Sequence, residues 1–143
     1  MDIRVFLADD HAAIRKALRE LLEAEVNLTV VGEATDGFDV VEQMAQVRPD
    51  VVILDITPPG INGFEAARQI RQTSPRTQVI VISMHLSREH VLAALRAGAN
   101  GYVLKESAGG ELVNAIRTVL NGSVYLSPEV TQLVDMTQTK LAA

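Results

Sequence analysis

The chain reads as an α/β protein built on a doubly wound, five-stranded parallel sheet, and three observations lead there. Short apolar runs alternate five times with stretches of helical period. The runs are continuous and rich in β-branched residues, as strands covered on both faces should be. Helical crossovers between consecutive parallel strands then place helices on both sides of the sheet.

The first run, Ile3 to Ala8, follows Met1-Asp2 directly, and the N-terminus does not resemble a signal peptide. Leu28 to Val31, Val51 to Leu54, Val79 to Ile82 and Tyr102 to Leu104 supply the other four strands. Between them the apolar residues change to a 3.6 period. Ile14, Ala17, Leu18, Leu21 and Leu22 form the first stripe, and Val40, Val41 and Met44 the second. Phe64, Ala67 and Ile70, then Val91, Ala94 and Leu95, then Leu112, Ile116 and Val119 complete the set. Asn62 with Glu65 has capping-box spacing, and Ser87 and Ser107 stand where N-caps belong. Gly98 and Gly122 fall where the fourth and fifth helices should stop.

Residues 1–122 are therefore expected to form one domain. Residues 123–139 read as a linker, in which Ser127-Pro128-Glu129 has the form of an N-cap, N1 and N2 of a short helix. Residues 140–143, Lys140-Leu141-Ala142-Ala143, look like a vector-derived tail and are left out of the fold.

Composition narrows the function classes. At 143 residues the chain has the size of a single domain with a full core, 48% apolar but only 3% aromatic. A net charge of −5 argues against this segment itself binding nucleic acid. Cys is absent, which removes disulfides, thiolate metal sites and cysteine nucleophiles, and fits a cytoplasmic protein. No apolar run approaches the roughly 20 residues that would span a membrane.

The chemistry-bearing residues gather at strand ends. Asp9 and Asp10 follow the first strand, Asp55 the third, Ser83 closes the fourth, and Lys105 follows the fifth. In doubly wound sheets ligands bind beyond the carboxyl ends of the strands. Asp10 could simply cap the first helix, but that leaves Asp9 without a role. The residues after Asp55, Ile56-Thr57-Pro58-Pro59-Gly60, cannot open a helix, so Asp55 has no capping role either. Two like charges about 4 Å apart, at an effective dielectric near 20, repel by roughly 4 kcal/mol. A hard divalent cation such as Mg²⁺, which takes oxygen ligands, removes that cost. A carboxylate can also act as a nucleophile toward phosphorus, and Ser83 and Lys105 offer the donor and cation that a phosphoryl group there would need.

This set, with Tyr102 three residues before the lysine, resembles the receiver domain of two-component response regulators over residues 3 to about 121. Asp9-Asp10-His11, Gly101-Tyr102-Val103-Leu104-Lys105 and Gly122-Ser123-Val124-Tyr125-Leu126-Ser127-Pro128 are similar to the NarL/FixJ (LuxR-type) subfamily. The resemblance implies a flavodoxin-like fold with strand order 2-1-3-4-5. It implies Asp55 as phosphoacceptor for a sensor histidine kinase, with Lys105 and Ser83 meeting the phosphoryl group. It implies Mg²⁺ held by Asp10, Asp55 and the carbonyl of Thr57, with Asp9 acting through water, and Ser83 and Tyr102 as switch residues. Self-catalysed phosphotransfer and dephosphorylation are then the only turnover expected. The output would be homodimerisation on phosphorylation and control of a helix-turn-helix domain beyond this segment, which would carry the DNA binding and transcription regulation.

Two departures stand out: Pro58 occupies a position where receivers usually carry Met or a similar residue, and Glu106 follows the lysine where many carry proline. The Pro58-Pro59 pair restricts Thr57 to extended geometry and bears on metal affinity, so a receiver acting by protein contact without phosphorylation is the alternative. A haloacid-dehalogenase-type phosphatase would want a second acid two residues after Asp55, where Thr57 stands. A flavodoxin-like mononucleotide binder would want a phosphate loop after the first strand, where two acids stand. His11 is expected at the surface beside the site. His85 and His90 lack a His or Cys partner at metal spacing, which argues against zinc.

Overall fold

A computed structural model describes residues 2–56 and 63–134 of the chain. The strands are β1 (Ile3–Ala8), β2 (Leu28–Ala34), β3 (Val51–Asp55), β4 (Gln78–Ser83), β5 (Gly101–Leu104) and β6 (Tyr125–Leu126). The helices are α1 (Ala12–Glu23), α2 (Gly37–Val47), α3 (Gly63–Thr73), α4 (Arg88–Arg96) and α5 (Ala108–Leu120), with a single 3-10 turn at Lys105–Ser107. A sixth helix, α6, starts at residue 128 and is described to residue 134.

All neighbouring strands pair in parallel, in the order β2-β1-β3-β4-β5-β6. The expected order of the first five is therefore observed, but the sheet has six strands rather than five. The sixth is Tyr125–Leu126, in the stretch read as linker. It pairs Gly101 with Tyr125 and Tyr102 with Leu126. A two-residue edge strand carries no periodicity of its own, so only the neighbouring backbone reveals it.

The sheet divides two apolar layers. On one side Leu18 and Leu22 of α1 and Leu112, Ala115, Ile116 and Val119 of α5 pack on Val5, Leu7, Ile53, Ile80 and Val103. On the other, α2, α3 and α4 bring Val40, Met44, Ala67, Ile70, Val91 and Ala94 to Phe6, Val52, Leu54, Val79, Val81 and Tyr102. Every residue of β3 is buried, which is why its sequence is a plain apolar run. Val130 of α6 is also fully buried and belongs to this second layer.

The stop signals are as expected at both glycines. Gly98 has φ +102° and Gly122 has φ +88°, the left-handed backbone that glycine adopts without a Cβ penalty. The start signals fare less uniformly. Asp36 caps α2, its side chain accepting from the Asp39 amide at 2.9 Å. Ser87 and Ser107 occupy N-cap positions without a side-chain bond, and the N-cap of α1 is His11 rather than Asp10. Asn62 lies outside the described residues.

Candidate functional site

The tips of β1, β3, β4 and β5 meet on one rim of the sheet. Asp55 ends β3 with its side chain 3% exposed, and Lys105 Nζ donates to its Oδ2 at 2.6 Å. The two residues are fifty positions apart in sequence, so the pairing is made by the sheet alone.

Asp9 is buried at the end of β1, where its amide donates to the Ala34 carbonyl of β2 at 3.0 Å. Its Oδ1 accepts from the His11 amide at 2.7 Å. Its Oδ2 is a buried oxygen without a hydrogen-bond partner among the described residues. Burial pushes the Asp9 carboxyl above its ordinary range, the His11 amide opposes this, and the adjacent Asp55 carboxyl adds to it. From outside, Arg15 of α1 donates from Nη1 to the Asp9 carbonyl at 2.6 Å and from Nε to Glu33 of β2 at 2.8 Å. Arg19 also reaches Glu33. This clamp ties α1 to β2 across the acidic strand end.

Asp9, His11 and Asp55 each present a ligand atom, and these atoms lie within 4.8 Å of one another. Asp10 stands apart from that group; its Oδ1 is 2.8 Å from His11 Nδ1 and its side chain is 34% exposed. Asp9 and not Asp10 is thus the acid grouped with Asp55 and His11. His11 lies at the surface beside the site, as expected, and its ring faces both acids. Thr57, the expected carbonyl ligand, lies with Pro58 and Pro59 outside the described residues.

Ser83 is fully buried at the end of β4, and its Oγ accepts from the His85 amide at 3.0 Å. Tyr102 of β5 is equally buried and its hydroxyl donates to the His85 carbonyl at 2.7 Å. Both switch candidates thus grip one residue, His85, of the loop between β4 and α4, Ser83 at its amide and Tyr102 at its carbonyl. Burial raises the Tyr102 phenol, with the Ser83 hydroxyl pulling slightly the other way. A cavity of about 190 Å³ opens beside them, lined by Ser83, Met84, Leu86, Lys105, Glu106 and Glu129.

The donor set suits a hard cation. Two carboxylates share a buried rim, one raised in its titration by burial and by its neighbour, and among the described residues an acidic oxygen there has no hydrogen-bond partner. Such a donor set fits a divalent cation by its chemistry.

A parallel sheet of order 2-1-3-4-5-6 with acids, hydroxyl and lysine on one rim defines a receiver-type fold. The response regulator receiver domain family matches residues 5–117, and the chain belongs to that family. It is 39% identical over 120 residues to the uncharacterized transcriptional regulatory protein YxjL of Bacillus subtilis, covering 84% of this chain and 55% of that protein. It is 35% identical over 130 residues to the oxygen regulatory protein NreC of Staphylococcus carnosus, covering 90% of this chain and 60% of that one. Among solved structures, a two-component response regulator of the LuxR family from Aurantimonas superposes with a TM-score of 0.91. The two are 36% identical over 97% of this chain and 99% of the other. These relatives make it a receiver of the NarL/FixJ type. The chain spans little more than half the length of the curated relatives it matches. Among the described residues no helix is long and apolar enough to cross a membrane.

Proposed function

We propose that Asp55 accepts a phosphoryl group from the phosphohistidine of a sensor kinase. A carboxylate oxygen of Asp55 attacks phosphorus in line, an O–P bond forms, and the P–N bond to the departing imidazole breaks. The observation that carries this reading is the buried contact of Lys105 Nζ with Asp55 Oδ2 at 2.6 Å, beside the unpartnered oxygen of Asp9.

Lys105 holds the nucleophile in place and then pairs with the phosphoryl oxygens. Asp9, Asp10 and Asp55 hold Mg²⁺, with Thr57 supplying a carbonyl; the ion's chemistry is to offset charge on the transferred group. Ser83 turning toward a phosphoryl oxygen loosens its hold on the amide of His85, the residue whose carbonyl Tyr102 also holds. The two side chains are thereby coupled through one loop, and phosphorylation biases a two-state arrangement of α4 and β5. The receiver of RcsB from Salmonella enterica has been solved with the phosphomimetic BeF3⁻, and this chain is 26% identical to it. In the whole protein the switch would govern homodimerisation and a DNA-binding transcription domain beyond this segment.

Incubation with Mg²⁺ and acetyl phosphate tests the reading by mass. One added phosphoryl group is expected on the chain and none on Asp55→Asn. No gain on the unmodified chain favours a receiver that acts by protein contact alone.

A further inference from the structure

We propose that Arg15 of α1 is a positioning residue for the acid pair: it fixes the peptide between Asp9 and Asp10, and so decides which of the two acids faces Asp55. The inference rests on the proposed phosphotransfer at Asp55 and adds to it a residue that acts from behind the acids.

Adjacent side chains at a strand end point to opposite sides, so a rotation of the turn after β1 would exchange the two acids. Three bonds resist that rotation. The Asp9 amide donates to the Ala34 carbonyl at 3.0 Å, which fixes the strand end on β2. The His11 amide donates to Asp9 Oδ1 at 2.7 Å. Arg15 Nη1 donates to the Asp9 carbonyl at 2.6 Å, and that carbonyl shares a peptide plane with the Asp10 amide. The last bond holds the plane itself, from a helix one turn further on. With the plane so held, Asp9 groups with Asp55 while the Asp10 side chain is 34% exposed.

The guanidinium is held in turn. Its Nε donates to Glu33 Oε1 at 2.8 Å, and the Arg15 side chain is only 18% exposed. Glu33 stands opposite Leu7 in the pairing of β1 with β2, so the register of the sheet sets where the guanidinium sits. A planar fork serves a carbonyl and a carboxylate at once, which the single ammonium of a lysine on its flexible stem does not. Arg19 supplies an internal comparison. It also reaches Glu33, and Glu23 besides, but among the described residues it makes no bond to Asp9.

The test is calorimetric titration of the full chain with Mg²⁺, and phosphorylation by acetyl phosphate followed by mass across Mg²⁺ concentrations. Arg15→Met, Arg15→Lys, Glu33→Gln and Arg19→Met are compared with the unaltered chain at a temperature where circular dichroism shows each folded. Arg15→Met should weaken Mg²⁺ binding, and raise the Mg²⁺ needed for half-maximal phosphorylation, by about tenfold or more. Its rate at saturating Mg²⁺ should stay within about threefold, because the bound ion gathers the acids again. Arg15→Lys and Glu33→Gln should shift the Mg²⁺ dependence the same way by less. Arg19→Met loosens the same tie between α1 and β2 without touching the Asp9 peptide, and should leave both measures within about twofold. Equal shifts in Arg15→Met and Arg19→Met, or a lower saturating rate with the Mg²⁺ dependence unchanged, overturn the positioning role. If Mg²⁺ binding depends on Arg15 but the unaltered chain takes no phosphoryl group, the phosphotransfer reading falls and the placing of the acids stands. An unaltered chain that binds no Mg²⁺ overturns both.

Discussion

At the scale of single residues, Asp9 decides how the site responds to ions. Its folded carboxyl titrates above the ordinary value of 3.8, chiefly because it is buried. The sign follows: its favourable contribution is complete below 3.8 and is lost as pH rises through the raised folded value. At neutral pH the buried acid therefore opposes folding until a cation joins it. Asp9→Asn removes that charge and lets an amide face Asp55. With divalent ions chelated, its melting temperature should exceed that of the unaltered chain by a few degrees, the size of about 1 kcal/mol in a domain of this length. With millimolar Mg²⁺ the unaltered chain should gain stability by mass action and the variant should not. A variant that melts lower in chelator, or gains as much from Mg²⁺, defeats the account. Asp55, Ser83, Lys105 and Tyr102 were legible because each follows or closes an apolar run, and strand order brings such ends together. Which of Asp9 and Asp10 groups with Asp55 was not. Adjacent residues in one sequence differ here by which side of the β1–α1 turn faces the sheet, and His11 draws Asp10 outward.

At the scale of elements, the five longer strands were legible because a sheet covered on both faces demands unbroken apolar runs. β6 was not, because its reasons lie in other elements. The Tyr125 amide donates to the Asn100 carbonyl and the Ser127 amide to the Tyr102 carbonyl, each at 3.0 Å. Ser127 is fully buried; its hydroxyl accepts from the Leu104 amide at 3.0 Å and donates to Glu111 at 2.8 Å. The Tyr125 hydroxyl donates to the same Glu111 oxygen at 2.7 Å. One carboxylate in the first turn of α5 thus fastens the strand. Burial, and then the bond to Glu111, push the Tyr125 phenol up to about 12. A group raised in the fold contributes fully below its ordinary value of 10.0, and its contribution is lost as pH climbs from there toward about 12. In a Tyr102→Phe background, where Tyr125 is the one remaining tyrosine, phenolate absorbance should rise with a midpoint near about 12. Glu111→Gln should bring that midpoint down. A midpoint near 10.0 with Glu111 intact would mean that β6 is not fastened in solution.

For the whole molecule, the consequence of β6 and α6 is that the chain covers its own switch. In the proposed function, phosphorylation biases the arrangement of α4 and β5. In the structure, residues 125–134 lie on that edge, and Val130 is fully buried in the same apolar layer as Tyr102, Val91 and Ala94. A partner docking through this face must either displace the segment or include it. The segment's hold is local: two residues of strand pairing, the Ser127 and Tyr125 bonds, and a few apolar side chains. It should therefore open at lower free energy than the five-stranded body. Val130→Asp puts an unpaired carboxylate into that contact, which is costly enough to detach a weakly held segment. Hydrogen exchange on the variant should show amides of residues 125–134 losing protection, and those of residues 102–104, which α6 covers, weakening with them. Amides of β1, β3 and β4 should stay protected. Uniform loss across the sheet would make the segment part of one cooperative core, and unchanged protection at 125–134 would show that Val130 does not hold it. Either result would remove the reason to expect that Tyr102 and the chain beyond residue 134 communicate through α6.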